Sequence, residues 1–142
     1  MPFVSITRLR LRKWYFVPLF LVPALRSARQ AQKAEGNLAV TLLREKRRTF
    51  WTRTVWTDER AMRAFMTSGA HGKSMRRLMV WADEAHVLNW TQESPEPPPW
   101  PLAHERLLKE GRPSKLKFPT EDHKARRFPA PQVTSTGETV LK

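Results

Sequence analysis

The chain has 142 residues, 40% hydrophobic and 10% aromatic, and its 26 Lys and Arg residues outnumber 13 Asp and Glu residues to give a formal charge of +13. This composition suits one packed domain with a tail and excludes a wholly disordered chain. The absence of cysteine excludes disulfides, thiol nucleophiles, iron–sulfur clusters and cysteine-ligated zinc. Residues 1–91 hold 17 of the basic and 6 of the acidic residues, so the positive charge lies mainly there and favours an anionic partner.

The N-terminal segment has the charged-then-apolar order of a secretory signal, with an apolar run over residues 14–25. Pro18 and Pro23 interrupt this run, and Arg26 and Arg29 occupy the place of a cleavage site. Twelve residues are also too few to span a bilayer as a helix. We therefore predict a cytoplasmic protein with no membrane span.

The first predicted elements are a strand, a helix and a hairpin. Period-two alternation predicts a strand over residues 3–11, and a helix follows over residues 17–34, ended by Gly36. Pro23 is expected to bend this helix or to delay its start. Two β-rich runs, over residues 38–45 and 49–57, flank a short polar turn, which predicts a hairpin.

The remaining elements complete a β-α-β-β-α-β order. Asp58 begins a helix that Gly69 ends, and a second helical piece covers residues 72–82. A final strand over residues 85–91 puts His86, Leu88 and Trp90 on one side. This order predicts an α+β, ferredoxin-like fold with an antiparallel sheet and two helices on one face.

The other face of the sheet also needs cover, because several predicted strands carry large apolar side chains on both sides. The simplest cover is a second copy of the chain, so we predict a homodimer in which two sheets close into a barrel. Residues 1–92 then form the domain. Residues 93–142 form a Pro-rich C-terminal arm with one short helix over residues 102–110 and a disordered end.

The segment most specific to a known family runs from residue 49 to 90. It contains Thr-Phe-Trp-Thr-Arg-Thr-Val-Trp over residues 49–56 and Glu-Arg-Ala-Met-Arg-Ala-Phe-Met-Thr-Ser-Gly-Ala-His over residues 59–71. With Trp-Ala-Asp-Glu-Ala over residues 81–85 and Gly-Arg-Pro-Ser-Lys over residues 111–115, it resembles the antibiotic-biosynthesis-monooxygenase-like proteins. It is most similar to an uncharacterised bacterial branch that resembles spheroidene monooxygenase.

The resemblance implies a dimeric α/β barrel. Relatives include cofactor-free oxygenases of aromatic polyketides, haem-degrading enzymes and haem-dependent carotenoid monooxygenases. We therefore expect a monooxygenase-like protein that binds a flat apolar or aromatic ligand, or haem, in the barrel cavity. Both haem and the absence of any cofactor remain open.

His71 is the first candidate site residue. It lies near the predicted start of a helix, where the helix dipole keeps an imidazole neutral and able to bind haem iron or to accept a proton. The alternative is a histidine that caps the helix or fills the edge of the core.

Trp51, Trp81 and Arg53 are the candidate ligand-binding residues beside it. Indole rings can form the walls of a pocket for a flat ligand, and an arginine can pair with a carboxylate or a haem propionate. Core packing is the alternative for the tryptophans, and Trp51 and Trp56, five positions apart, must lie on opposite sheet faces.

For the arginines in the predicted strands, the alternative to binding a ligand is that their side chains are exposed to water. It applies to Arg8, Arg10, Arg44 and Arg53.

A second hypothesis is a non-catalytic barrel that binds a small acidic ligand, or an anionic partner through its basic surface. Nucleic acid fits poorly, because the aromatic residues fall at buried periodic positions rather than among the charges. A Gly-rich phosphate loop, a His-Glu-x-x-His motif and a Rossmann fingerprint are all missing from the sequence.

Overall fold

The structure is a computed structural model that describes residues 1–45, 48–68 and 76–142. The elements are β1 (Phe3–Leu11), α1 (Phe16–Lys33), β2 (Asn37–Glu45), β3 (Thr49–Trp56), α2 (Glu59–Met66), α3 (described over residues 76–81), β4 (Ala82–Thr91), α4 (Trp100–Glu110), β5 (Arg112–Pro113), α5 (Glu121–Lys124) and β6 (Glu138–Val140). The predicted α+β class and the β-α-β-β-α-β order are confirmed.

All strands belong to one antiparallel sheet with the order β5-β4-β1-β3-β2-β6. Its inner four strands have the ferredoxin-like arrangement, and the sheet is open. β1 lies at the centre, where Arg8 is opposite Trp51 on β3 and His86 on β4. The three side chains therefore share one face of the sheet.

Helices α1 and α2 cover the other face, as predicted. Trp56 is fully buried there and its ring lies 5.2 Å from that of Phe65 on α2. On α1, Ala28 and Ala31 are buried three positions apart, and their small side chains let the helix approach the sheet closely. Trp51 and Trp56 thus lie on opposite faces, as their spacing predicts.

Gly36 ends the turn after α1, as predicted. Its φ of 84° lies in the left-handed region, and a Cβ at this position would come within 2.6 Å of the Ala61 Cβ atom. The expectation that Pro23 delays the start of α1 is wrong, because the helix begins at Phe16 and continues through Pro23. Among the described helices, none is long and apolar enough for a membrane span.

The expectation of a bare second face is wrong. The chain's own C-terminal segment covers that face: Trp100, Ala103 and Leu107 of α4 are buried against it together with Phe128. The spacing of the three α4 residues forms an apolar stripe that faces the sheet. The five prolines of residues 94–101 suggest a linker, but Pro101 stands in the first turn of α4, where proline is well tolerated. The homodimer stays a prediction.

Two element bounds differ from the sequence interpretation. β4 begins at Ala82 rather than at residue 85, so Asp83 and Glu84 are strand residues with buried side chains. Near the C-terminus, where the sequence predicts disorder, β6 pairs with β2. Three residues are too few to show a strand pattern, and the ladder with β2 supplies the hydrogen bonds that hold them. The division into residues 1–92 and 93–142 stays a prediction.

Candidate functional site

A buried ion pair lies at the centre of the face that carries Trp51. Arg8 is only 3% exposed, and its Nη1 donates a hydrogen bond of 2.8 Å to Oε1 of Glu84. Its guanidinium carbon lies 4.9 Å from the ring centroid of Phe128 and 5.9 Å from that of Trp51. The solvent-exposed alternative is therefore wrong for Arg8, because burying a guanidinium requires such a partner.

Arg10 and Thr120 extend this pair toward the surface. Arg10 makes a two-point contact with Asp83, at 3.1 Å from Nε to Oδ1 and 3.0 Å from Nη2 to Oδ2. Thr120 donates to Oε2 of Glu84 at 3.2 Å. Burial disfavours ionised Glu84, but the hydrogen bond and charge of Arg8, together with Arg10 and Thr120, hold its pKa below the usual value. Glu84 is thus an anion at neutral pH.

Two histidines lie next to the ion pair. His123 accepts a hydrogen bond from the Ala85 N–H through Nδ1 at 3.1 Å, so its Nε2, 3.1 Å from the Ser114 carbonyl, carries the proton. His86 lies 3.3 Å from the carbonyl oxygen of His123 through Nε2 and therefore donates there. These contacts fix the tautomers of both rings.

His86 keeps a free nitrogen in the core. It is 1% exposed, and its Nδ1 has no hydrogen-bond partner among the described residues. Burial, followed by the positive charges of His123 and Arg8, lowers the pKa of His86 to about 4. The ring is therefore neutral, with an available lone pair on Nδ1.

An open cleft of about 490 Å³ adjoins Arg8 at the ends of the central strands. Its lining consists of Arg8, Arg10, Glu45, Arg48, Thr49, Glu84, Asp122, Arg127 and Pro129. Four of these side chains are guanidiniums and three are carboxylates.

Protein groups contact the arginines at the mouth of the cleft. Arg48 donates from Nη1 to the carbonyls of Leu11 and Arg12 at 3.2 and 2.9 Å, and Arg127 lies 3.3 Å from Asp122. Arg48 is thus held by two backbone carbonyls, whereas Arg127 is 68% exposed and pairs with Asp122 at the surface. Guanidiniums at a cleft mouth suit a carboxylate, phenolate or enolate.

Trp51 and Arg53, two of the predicted site residues, come together under the C-terminal segment. The Trp51 Nε1–H donates to Glu45 at 2.9 Å, and Arg53 donates to the Pro98 carbonyl at 2.9 Å, with its guanidinium 4.3 Å from the Trp100 ring centroid. Burial lowers the pKa of Arg53, against the raising effect of Glu138. Both side chains therefore pack between the sheet and the C-terminal segment.

Trp81 lies on the opposite side of the sheet from Trp51. It stacks on Phe16 of α1, with the ring centroids 6.1 Å apart. The two indoles therefore do not line a common cavity. His71 lies outside the described residues, so its predicted role as base or ligand stays a prediction.

A haem does not fit at Trp51 and Arg53. Trp51 is fully buried, and the rings of Trp100, His104 and Phe128 surround it at centroid distances between 6.0 and 6.3 Å. A porphyrin would need the space that these side chains fill. Within the described ranges, no cluster of three His, Asp or Glu residues could hold a metal ion.

The sequence interpretation missed the contacts that bring Asp83, Glu84, His86 and His123 together around Arg8 and Arg10. A usable signal was present: two arginines alternate on β1, and two adjacent acids precede the strand that pairs with it. The helical interpretation of residues 72–82 concealed this signal, because it placed the acids in a turn.

Comparisons with known proteins support the fold. Residues 21–77 match the family model of antibiotic biosynthesis monooxygenase. A variant of SnoaB, a cofactor-independent oxygenase from Streptomyces nogalater, is 20% identical, with a TM-score of 0.55, over 66% of this chain and 94% of that one. A conserved protein from Methanosarcina mazei is 14% identical, with a TM-score of 0.59, over 66% and 94%. No curated protein matches the chain.

Proposed function

The predicted resemblance to the antibiotic biosynthesis monooxygenase family is confirmed, and from it we propose that the chain is an oxygenase whose substrate is a small aromatic acid. The likeness to spheroidene monooxygenase stays a prediction. The observation that carries the substrate class is the cleft, because its arginines match an anionic group. The proposed substrate is thus the flat ligand expected from the sequence with an acidic group in addition.

The cleft would bind the substrate through Arg48 and Arg127 at its mouth. Arg8 and Glu84 form its inner wall, where their mutual ion pair keeps the local charge close to balanced. An arriving carboxylate would share the outer guanidiniums with Asp122 and the backbone carbonyls that hold them. Because the backbone carbonyls of Leu11 and Arg12 fix Arg48 in advance, this side chain loses little conformational entropy on binding.

The proposed reaction converts an activated ring CH₂ into a carbonyl with O₂. The substrate loses a proton to a base, and the resulting carbanion gives its electrons to O₂. One oxygen atom enters the carbonyl, the other leaves as water, and the CH₂ group supplies all four electrons. The arginines would stabilise the anion that forms, and His71 is the base predicted from the sequence.

A second candidate is binding of the same acid without turnover. The specific observation that favours it is the environment of His86, whose Nδ1 is only weakly basic and whose buried ring is not part of the cleft lining, so it is not placed to take a proton from a ligand there. A ligand in the cleft would meet arginines and carboxylates that are already paired. Such a site could bind the acid without catalysing its oxygenation.

The test separates binding from turnover. The purified chain is titrated by calorimetry with aromatic acids that carry a ring CH₂ next to a carbonyl group, and oxygen uptake and ¹⁸O incorporation are then measured with each acid that binds. We expect Arg127→Gln to weaken binding about tenfold, since a charge-assisted hydrogen bond is lost. The matched control is Arg60→Gln, which removes the same charge from α2, away from the cleft.

Three further outcomes decide between the candidates. Oxygen uptake that His71→Ala abolishes, with binding retained, supports the oxygenase. Binding with no uptake for any acid supports the binding protein. Equal affinity in Arg127→Gln and the native chain would refute the cleft as the site.

A further inference from the structure

Helix α1 and the two residues before it present apolar side chains to solvent. Trp14 is 73% exposed, Leu19 56% and Val22 55%, although residues of this type are normally buried. The exposed apolar residues, here called the α1 patch, are Trp14, Tyr15, Leu19, Leu21, Val22 and Leu25. The buried side of the helix, with Val17 and Phe20, is already packed on the sheet. The α1 patch is thus additional to the core.

Arg12, just before the α1 patch in sequence, contacts two other parts of the chain. Arg12 donates from its backbone N–H to the Trp81 carbonyl at 2.7 Å and from Nε to the Val80 carbonyl at 3.2 Å. Its guanidinium carbon lies 4.4 Å from the ring centroid of Phe118. Val80 and Phe118 are themselves exposed, as is Met79. Exposed apolar residues of α3 and of the C-terminal segment therefore lie beside Arg12, two positions before Trp14.

Positive charge surrounds the α1 patch. Residues 1–34 contain seven Lys and Arg and no Asp or Glu. On the helix, Leu19 and Val22 are followed at the same three- and four-residue spacing by Arg26 and Arg29, so the outer stripe changes from apolar to basic. Within the described ranges, neither arginine forms an ion pair. Their charges are available to a partner.

We infer that the α1 patch docks on the surface of an anionic lipid bilayer. Aliphatic side chains with Trp and Tyr beside a basic stripe are the composition of a helix that lies in the membrane interface. The apolar residues would enter the acyl boundary, and Arg26, Arg29 and Lys33 would contact the anionic headgroups. The helix would lie on the bilayer rather than cross it, in keeping with its length and hydropathy.

A second copy of the chain fits the α1 patch less well. A two-fold interface places the same surface against itself, so a surface whose charged residues over 1–34 are all basic would face another of the same sign. With no acid among residues 1–34 to compensate, the juxtaposed like charges would oppose association. An anionic bilayer offers the complementary charge instead.

Vesicle flotation of the full chain tests the inference. The probes are phosphatidylcholine vesicles with and without phosphatidylserine. We expect binding only to the anionic vesicles, weakened by salt. The double variant Leu19→Ser with Val22→Ser keeps every charge and should lower the partition coefficient at least about tenfold. The matched control, Leu102→Ser with Val133→Ser, removes two exposed apolar side chains elsewhere and should bind like the native chain.

Three outcomes would overturn the inference. The first is no binding to anionic vesicles at low salt. The second is equal binding by the α1 double variant, which would assign vesicle binding to the net charge alone. The third is a native dimer that the α1 double variant converts to a monomer, which would assign the surface to a second copy. Circular dichroism and thermal unfolding check that each variant is folded, and Arg127→Gln should bind vesicles normally whether or not the cleft binds an acid.

Discussion

The two faces of the sheet carry the same kind of apolar surface but are covered in different ways. Helices α1 and α2, which connect strands, cover the face of Trp56. The segment that follows the last strand of the ferredoxin-like unit covers the face of Trp51. The hydropathy of the strands shows that both faces need cover. It does not show which part of the chain, or which chain, provides it.

The largest expected effect compares one tryptophan from each face. Trp56→Ala and Trp100→Ala should each lower the free energy of unfolding by roughly 3–5 kcal/mol, because each removes a large buried ring from a packed layer. Urea denaturation measures both. If Trp100→Ala were to leave stability within about 0.5 kcal/mol of the native chain, the C-terminal segment would be a loose arm and the comparison would fail.

The face of Trp51 contains the buried ion pair of Arg8 and Glu84, and breaking this pair should give the second largest effect. Glu84→Gln leaves Arg8 buried without its counter-charge and should cost about 3 kcal/mol in the free energy of unfolding. The control, Glu59→Gln, breaks the solvent-exposed pair with Arg63 and should cost less than about 1 kcal/mol. Similar losses for the two variants would contradict the buried character of the Arg8–Glu84 pair.

The smallest effect is a pH dependence confined to the Trp51 face. The pKa of His86 is lowered from 6.5 to about 4 in the fold, so the unfolded chain binds more protons between these values. The contribution of His86 to the free energy of unfolding should therefore be fully present above pH 6.5. It should fall by about 2–3 kcal/mol as the pH drops toward 4. His86→Gln should show a flatter loss in this window.

Other groups near His86 affect the lower part of this window. The pKa of His123 is lowered too, so it acts in the same direction, and Glu84 contributes only below its ordinary value of 4.5. The positive charge of Arg8 opposes protonation of His86. Parallel curves for the native chain and His86→Gln would show that His86 does not cause the loss.

Much of the fold was predictable from local patterns. Alternation placed β1 and β3, the five-residue separation placed Trp51 and Trp56 on opposite faces, and Gly36 marked the end of α1. These features depend on neighbours in sequence, through strand and helix periodicity. The β-α-β-β-α-β order follows from them.

The site was less predictable, because its contacts join distant residues. Arg8 and Glu84 are 76 positions apart, and Trp51 and Trp100 meet only after the C-terminal segment folds over the sheet. An arginine in a strand looks exposed until its partner strand is in register. Periodicity also favoured a helix through Ala82, whereas the ladder with β1 makes this residue the start of β4.

The C-terminal segment also closes the borders of the sheet. On one side, Ser114 and Thr120 donate to the carbonyls of Ala85 and Asp83 on β4; on the other, Arg44 of β2 donates to the Gly137 carbonyl. The outermost strands, β5 and β6, have two and three residues, and β5 includes Pro113, which lacks an N–H. A foreign strand therefore finds few free backbone groups to pair with. The C-terminal segment thereby limits edge-to-edge pairing with other chains.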